Sequence, residues 1–215
     1  MMLVEQSALL GVVSVALGMV LSPGPNMMYL VSRSTSQGRR AGIISLGGVA
    51  TGFLVYLVAA NLGLAVLFAA FPQLLTVIRI AGALYLLWLA WKTVKPGGVS
   101  VFTVQDIPAD SPGRLFSMGL MTNLLNPKIA ILYVSIIPQF IDLHKGNVLL
   151  QGIILGVFQI VVALSVNLSI VLAAGAVAGF LSNRPTWLRA QRVAMGSLLG
   201  VLAIMLAVGT SVNTM

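Results

Sequence analysis

The chain has 215 residues, of which 59% are hydrophobic and 7% charged, whereas a soluble domain carries about a quarter charged residues. Twelve Lys and Arg with four Asp and Glu cannot clothe a soluble globule, so the chain faces lipid, and a water-soluble enzyme or a disordered chain is excluded. The net charge of +8 is scattered between apolar runs and forms no face for nucleic acid, while the absence of cysteine and the single His144 exclude disulfides, thiol chemistry and Cys or His metal clusters. No cofactor is expected.

The start, Met1 to Gln6, lacks a positive n-region, so the first apolar run reads as a retained span and not a cleaved signal. A membrane-crossing helix needs about 20 mostly apolar residues. Such runs occupy Ser7 to Val31, Ala41 to Phe71, Gln73 to Trp91, Leu115 to Ile141, Asn147 to Leu181 and Val193 to Thr210. The second and fifth are long enough to tilt or bend. Between the third and fourth, Lys92 to Arg114 is rich in Pro, Gly and Asp and reads as a loop.

Arg33, Arg39 and Arg40 follow the first span; Lys92, Lys95 and Arg114 the third; Arg184, Arg189 and Arg192 the fifth. The opposite side has Lys145 alone. The bias of Lys and Arg toward cytoplasmic loops then puts loops one, three and five inside and both termini outside. Trp88, Trp91 and Trp187 suit headgroup anchors at that inner interface.

Two spans are interrupted. The first contains Ser22-Pro23-Gly24-Pro25-Asn26 and the fourth Asn123-Leu124-Leu125-Asn126-Pro127-Lys128. Proline lacks the amide donor and clashes with the preceding turn, so each stretch is expected to unwind its helix near the bilayer centre. Pro25 and Pro127 are 102 residues apart, the spacing of one half of the chain to the other. Each half reads as three spans: broken, long, short. The expected fold is therefore all-α, a polytopic membrane protein of six helices in two inverted three-helix repeats, with residues 1–95 and 115–215 joined by a cytoplasmic linker at 96–114. Paired Pro and Gly interruptions in equivalent spans point to a transporter's binding site.

Gly24-Pro25-Asn26 and Asn126-Pro127-Lys128 each look like a helix start, a capping residue followed by proline at the first helical position. In antiparallel halves the two restarted helices would meet N-terminus to N-terminus, offering partial positive charge and amide donors to a carboxylate. Lys128 adds a full charge; an ammonium inside a membrane is by default a functional group. Carbonyls freed at Leu21, Ser22, Leu124 and Leu125, or the amides of Asn123, Asn61 and Asn167, would accept from a ligand ammonium. Asn61 and Asn167 lie at matching places in the two long spans and serve equally well as interhelical hydrogen-bond partners. Arg79 is read as snorkelling outward past Pro72. Five Gly-x-x-x-Gly pairs, at Gly38, Gly48, Gly152, Gly175 and Gly196, permit close helix packing; they fit intramolecular contacts better than a homodimer, which stays open.

These residues have a recognisable combination. "SPGPN" in span one, "RSTSQGRRAG" after it, "AGALYLLWLAWK" closing span three and "NLLNPK" in span four resemble the LysE/RhtB family of bacterial amino-acid exporters over the whole chain. The resemblance implies a six-helix inner-membrane protein exporting amino acids or close derivatives, driven by the proton gradient; because no fixed carboxylate awaits a cationic side chain, neutral compounds (threonine, homoserine or leucine-like) are the expected substrates. It places one motif on Pro23, Gly24, Pro25 and Asn26 and another on Asn126, Pro127 and Lys128. Some relatives have Asp where Asn26 stands. No Asp or Glu lies inside any span here, so a proton would move through Lys128 itself, or transport would run by exchange or facilitated exit.

The leading expectation is a secondary exporter working by alternating access, embedded in lipid, with a small amino acid and the proton as its partners. A non-transporting scaffold or a small-solute channel is the alternative. No nucleotide-binding Gly-rich Lys-Ser/Thr motif is present.

Overall fold

The computed structural model describes residues 3–22, 24–70 and 108–182, with single positions at 80, 83, 84, 87, 88, 91, 95, 193, 197, 200, 201, 203 and 204. Pro23, Arg79, Lys92, Arg184, Trp187, Arg189, Arg192 and Gly196, most of the third and sixth spans and most of the linker lie outside the described residues. Regular structure among the described residues is entirely helical.

Helix α1 (Gln6–Leu21) is followed by α2 (Pro25–Ser36) and the long α3 (Gly38–Ala70). Helix α4 (Pro112–Leu124) leads into α5 (Pro127–Ile131), a wider π turn (Leu132–Ile136) and a tighter 3-10 turn (Ile137–Phe140). A short 3-10 turn (Leu143–Lys145) then precedes α6 (Val148–Ser182). Within α3 and α6, stretches of 26 and 29 residues are each long and apolar enough to cross a membrane. Two bent pairs pass the same test when taken together: α1 with α2, bent by 54°, and α4 with α5 and its continuation to Phe140, bent by 51°. Among the described residues that is two crossing helices, or four if each bent pair is one span.

The bends fall where the sequence places its prolines, for a local reason. A residue before proline is pushed out of the helical region. Gly24 (ψ 177°) and Asn126 (ψ 107°) are both extended, and Pro25 and Pro127 each take the first helical position behind them. The fourth span starts at Pro112, earlier than hydropathy alone indicates, because Pro112 follows the N-cap Ser111. The chain reverses between α2 and α3 through Gly38, whose φ of 84° suits a residue without a side chain.

Each broken span packs on the long helix of the other half: α1 and α2 run along α6, α2 also lying against α3 of its own half, whereas α4 and the π turn run along α3. Glycines allow the close approach. A Cβ at Gly48 would strike the Phe116 carbonyl, one at Gly119 the Ser45 carbonyl, and one at Gly152 the Asn61 side chain. In lipid such contacts matter because apolar side chains gain nothing by leaving acyl chains for one another; tight packing and hydrogen bonds hold the helices together. The polarity is accordingly inside out. Leu10, Leu54, Leu62, Val161 and Trp91 are exposed, while Asn26, Asn123, Asn126, Lys128, Gln159 and Asn167 are buried.

The two broken spans are also pinned at both ends. At one end Arg33, in the last turn of α2, bonds Asp110 at 2.7 Å; Arg114 reaches the same carboxylate at 3.1 Å, and Gln37 donates to it from Nε2 while accepting at Oε1 from the Asp110 backbone N–H. At the other end Lys145 pairs with Glu5, just before α1, and stands 4.0 Å from Asp142. The start of each broken span thus lies beside the end of the other. Residues assigned to loops one and three meet at one end, and those of the N-terminus and loop four at the other.

Candidate functional site

The two breaks meet. Lys128, at the second position of α5, reaches across to the first break and donates from Nζ to the Ser22 carbonyl at 2.7 Å. Its side chain is 5% exposed. An ammonium has three N–H donors, and that carbonyl is its one acceptor among the described residues. Its Nζ passes so near Gly24 that a Cβ there would lie 3.3 Å away. Glycine in that position is what lets the cation sit against the unwound backbone.

Around this contact is a cavity of about 30 Å³. A water needs at least ~10–15 Å³, and a benzene-sized molecule ~150 Å³. The space therefore admits water and must widen to admit anything larger. Its polar wall is Ser22, Gly24, Asn26, Lys128, Gln159 and Asn167. Met19, Phe53, Ile129 and Leu132 form apolar parts of its lining. Three wall oxygens, Ser22 Oγ, Asn26 Oδ1 and Asn167 Oδ1, are buried with no hydrogen-bond partner among the described residues. Leaving a buried acceptor unsatisfied costs roughly 1–3 kcal/mol, a cost that a water or another donor in the cavity relieves. Helix α2 adds its own end: no side chain caps it, and its first amides have no partner within the helix.

The other residues singled out from sequence are placed differently. Asn126 is buried and caps α5, its Oδ1 accepting from the Lys128 backbone N–H at 3.1 Å. Pro25 and Pro127 set the helix starts and face outward. Asn123 is fully buried against Gly52, with neither amide atom paired among the described residues, and lies outside the cavity wall. Asn61 also lies outside it. Its amide donates back to the Leu57 carbonyl at 2.8 Å, and its oxygen packs on Gly152. Two of the four freed carbonyls are engaged as well: Ser22 O by Lys128, and Leu124 O by the Tyr56 hydroxyl at 2.7 Å.

Gln159 has no counterpart in the sequence reading. Its signal is position: Gln159, Ala163 and Asn167 are spaced four apart on α6 and so share one face, and all three line the cavity. The end clusters are the second omission. Gln37 hydrogen bonds, with Arg33 and Arg114 beside them, hold the Asp110 carboxyl below its ordinary range, and the Lys145 hydrogen bond does the same for Glu5.

A helical membrane protein whose buried polar groups gather where two spans unwind is built as a solute carrier is built. Comparison with known proteins gives the family. The model for LysE type translocators matches residues 17–210. The chain is 32% identical to a homoserine/homoserine lactone efflux protein of Salmonella typhimurium, over 87% of this chain and 89% of that one. A protein of the same name from Salmonella typhi matches at the same identity and coverage. It is 37% identical to the uncharacterized membrane protein YrhP of Bacillus subtilis, over 69% of this chain and 74% of that one. No solved structure matches the chain. The chain belongs to the LysE type translocator family, and is a membrane protein of a transporter family.

Proposed function

We propose that the protein is a secondary transporter that exports small neutral amino acids or their derivatives across the bacterial inner membrane, with both termini outside, by alternating access. The observation that carries the reading is the buried Lys128 ammonium at the first break, in one cavity wall with Asn26 and Asn167 oxygens that have no partner among the described residues. A zwitterion fits both sets of partners. Its carboxylate takes the spare Lys128 donors and the uncapped end of α2, and its ammonium takes the Asn oxygens. The Salmonella relatives are named for homoserine and its lactone, which favours short, polar substrates of the threonine and homoserine kind over leucine.

The proposed frame is six spans in two inverted repeats, residues 1–95 and 115–215, with a linker at 96–114. The exchange of long helices between the two halves and the pinned ends of the broken spans support it. Release of one end cluster at a time would open the cavity to one side, and coupling to the proton gradient would run through Lys128.

Proteoliposomes loaded with a panel of neutral amino acids test this. Efflux should saturate, respond to a trans-membrane pH gradient, and be lost in Lys128→Met while the protein still inserts. Wild-type efflux by Lys128→Met would overturn the assignment of the site. Flux that never saturates would favour a channel.

A further inference from the structure

Gln159, Ala163 and Asn167 share one face of α6 and all line the cavity, Gln159 and Asn167 two helical turns apart, about 12 Å along the axis. The same cavity is lined by Lys128 and Asn26, with Met19 and Leu132 among its apolar residues. Gln159 is thus a polar group of the wall distinct from the Lys128 contact at the first break, and it is 1% exposed.

Gln159 is held in a fixed orientation. Tyr133, on the π turn, donates its hydroxyl to Gln159 Oε1 at 2.7 Å. The Tyr133 ring is itself buried and stacks on Tyr56, with centroids 5.7 Å apart and planes at 19°. Tyr56 in turn caps the Leu124 carbonyl at the second break. With its oxygen turned to Tyr133, the Gln159 amide keeps both N–H donors of its NH₂ group for a guest. A widened π turn inside a helix is a common device at functional sites.

We infer that Gln159 is a specificity-determining residue, donating to an oxygen at the end of the substrate's side chain, and that Tyr133 is the positioning residue that aims it. Once the cavity widens to admit a solute, an amide donor in its wall beside the Lys128 contact selects an α-amino acid whose side chain bears a hydroxyl or carbonyl oxygen. This rests on the transport reading above and adds to it the group that tells such a substrate from its apolar isostere.

The test compares homoserine with norvaline, in which a methyl replaces the hydroxyl, in proteoliposomes of the full chain. Sites that hydrogen-bond a substrate hydroxyl reject the analogue lacking it strongly. Wild type should favour homoserine by tenfold or more in kcat/KM. Gln159→Met should reduce that preference to about threefold or less while norvaline flux persists, and Tyr133→Phe should move the ratio part of the way in the same direction. An unchanged ratio in a transporting Gln159→Met overturns the inference. If that variant fails to assemble, an unchanged ratio in Tyr133→Phe, which removes a single oxygen, does the same. A wild-type carrier that moves both compounds equally also overturns it, leaving the transport reading intact. A wild type that moves neither, nor any other amino acid in the panel, removes the transport reading and this inference together.

Discussion

At the second break the helix start is capped by its own residue, Asn126, through its side chain, while the carbonyl that α4 leaves open is taken by Tyr56 of α3, from the other half of the chain. At the first break Gly24 occupies the corresponding position with no side chain to give, and the carbonyl of Ser22 is satisfied by Lys128 from the other half of the chain. One glycine in place of one asparagine changes what the break is for. The second break closes its helix end with its own side chain. The first leaves its helix end uncapped beside Asn26 and Asn167 oxygens that have no hydrogen-bond partner among the described residues. On the proposed reading the pair divides the work: the second break delivers Lys128, and the first receives the substrate's charge.

The comparison can be broken most severely at Lys128. Lys128→Met keeps the length of the side chain but removes all three donors, and amino-acid efflux should fall at least about a hundredfold, in line with the cost of deleting one partner of a buried charged contact. Measured by release of preloaded amino acid, a fall of less than threefold would erase the distinction between the breaks.

Converting the first break into a copy of the second is the next largest change. Gly24→Asn supplies α2 with its own cap and pushes a Cβ toward Lys128 Nζ. Thermal stability should shift by only a few tenths of a kcal/mol, since glycine is itself a tolerable N-cap, whereas efflux should fall about tenfold because the cap competes with the ligand. Parallel melting and flux measurements read the two effects separately. The converse change, Asn126→Ala, should do the opposite: it should cost roughly 1 kcal/mol of stability and reduce flux less than Gly24→Asn does.

The smallest effect lies at the ends. Asp110 and Glu5 are both held below the ordinary carboxylate range, Asp110 chiefly by Gln37 and Glu5 chiefly by Lys145. A carboxyl with a lowered native pKa contributes stability that is complete above its unfolded value, about 4, and is lost as pH falls through the native one. Melting temperature in detergent should therefore show no loss from these groups between pH 7 and 5, and a decline below about pH 4. Asp110→Asn should flatten part of that decline. An unchanged acid profile would remove Asp110 from the set of contacts that hold the end shut.

Much of this molecule is written locally. Pro25 and Pro127 announce both bends because proline acts on its own residue and the one before it, and the lengths of α3 and α6 follow from unbroken apolar runs. What a linear reading lacks is the facing of side chains across the bundle. Asn61 and Asn167 hold matching places in the two halves, yet one bonds back to Leu57 and the other lines the cavity. Their difference comes from Gly152 on the neighbouring helix, which no local pattern around Asn61 encodes. Gln159 and Tyr133 were hidden for a related reason: each is a single polar group in an apolar run, and only their contact across 26 residues gives the pair its meaning. The Lys128–Ser22 contact spans 106 residues and was legible in outline, through paired breaks, but not as a bond between named atoms.

The central claim is that Lys128 and the uncapped end of α2 bind the carboxylate of an amino acid. Its most direct test is the affinity of purified protein for an amino acid against that of its carboxamide, in wild type and in Lys128→Met. Wild type should bind the free acid tenfold or more tightly, and the variant should bind both about equally. Equal affinities in wild type, or a preference for the acid that survives in Lys128→Met, would contradict the claim.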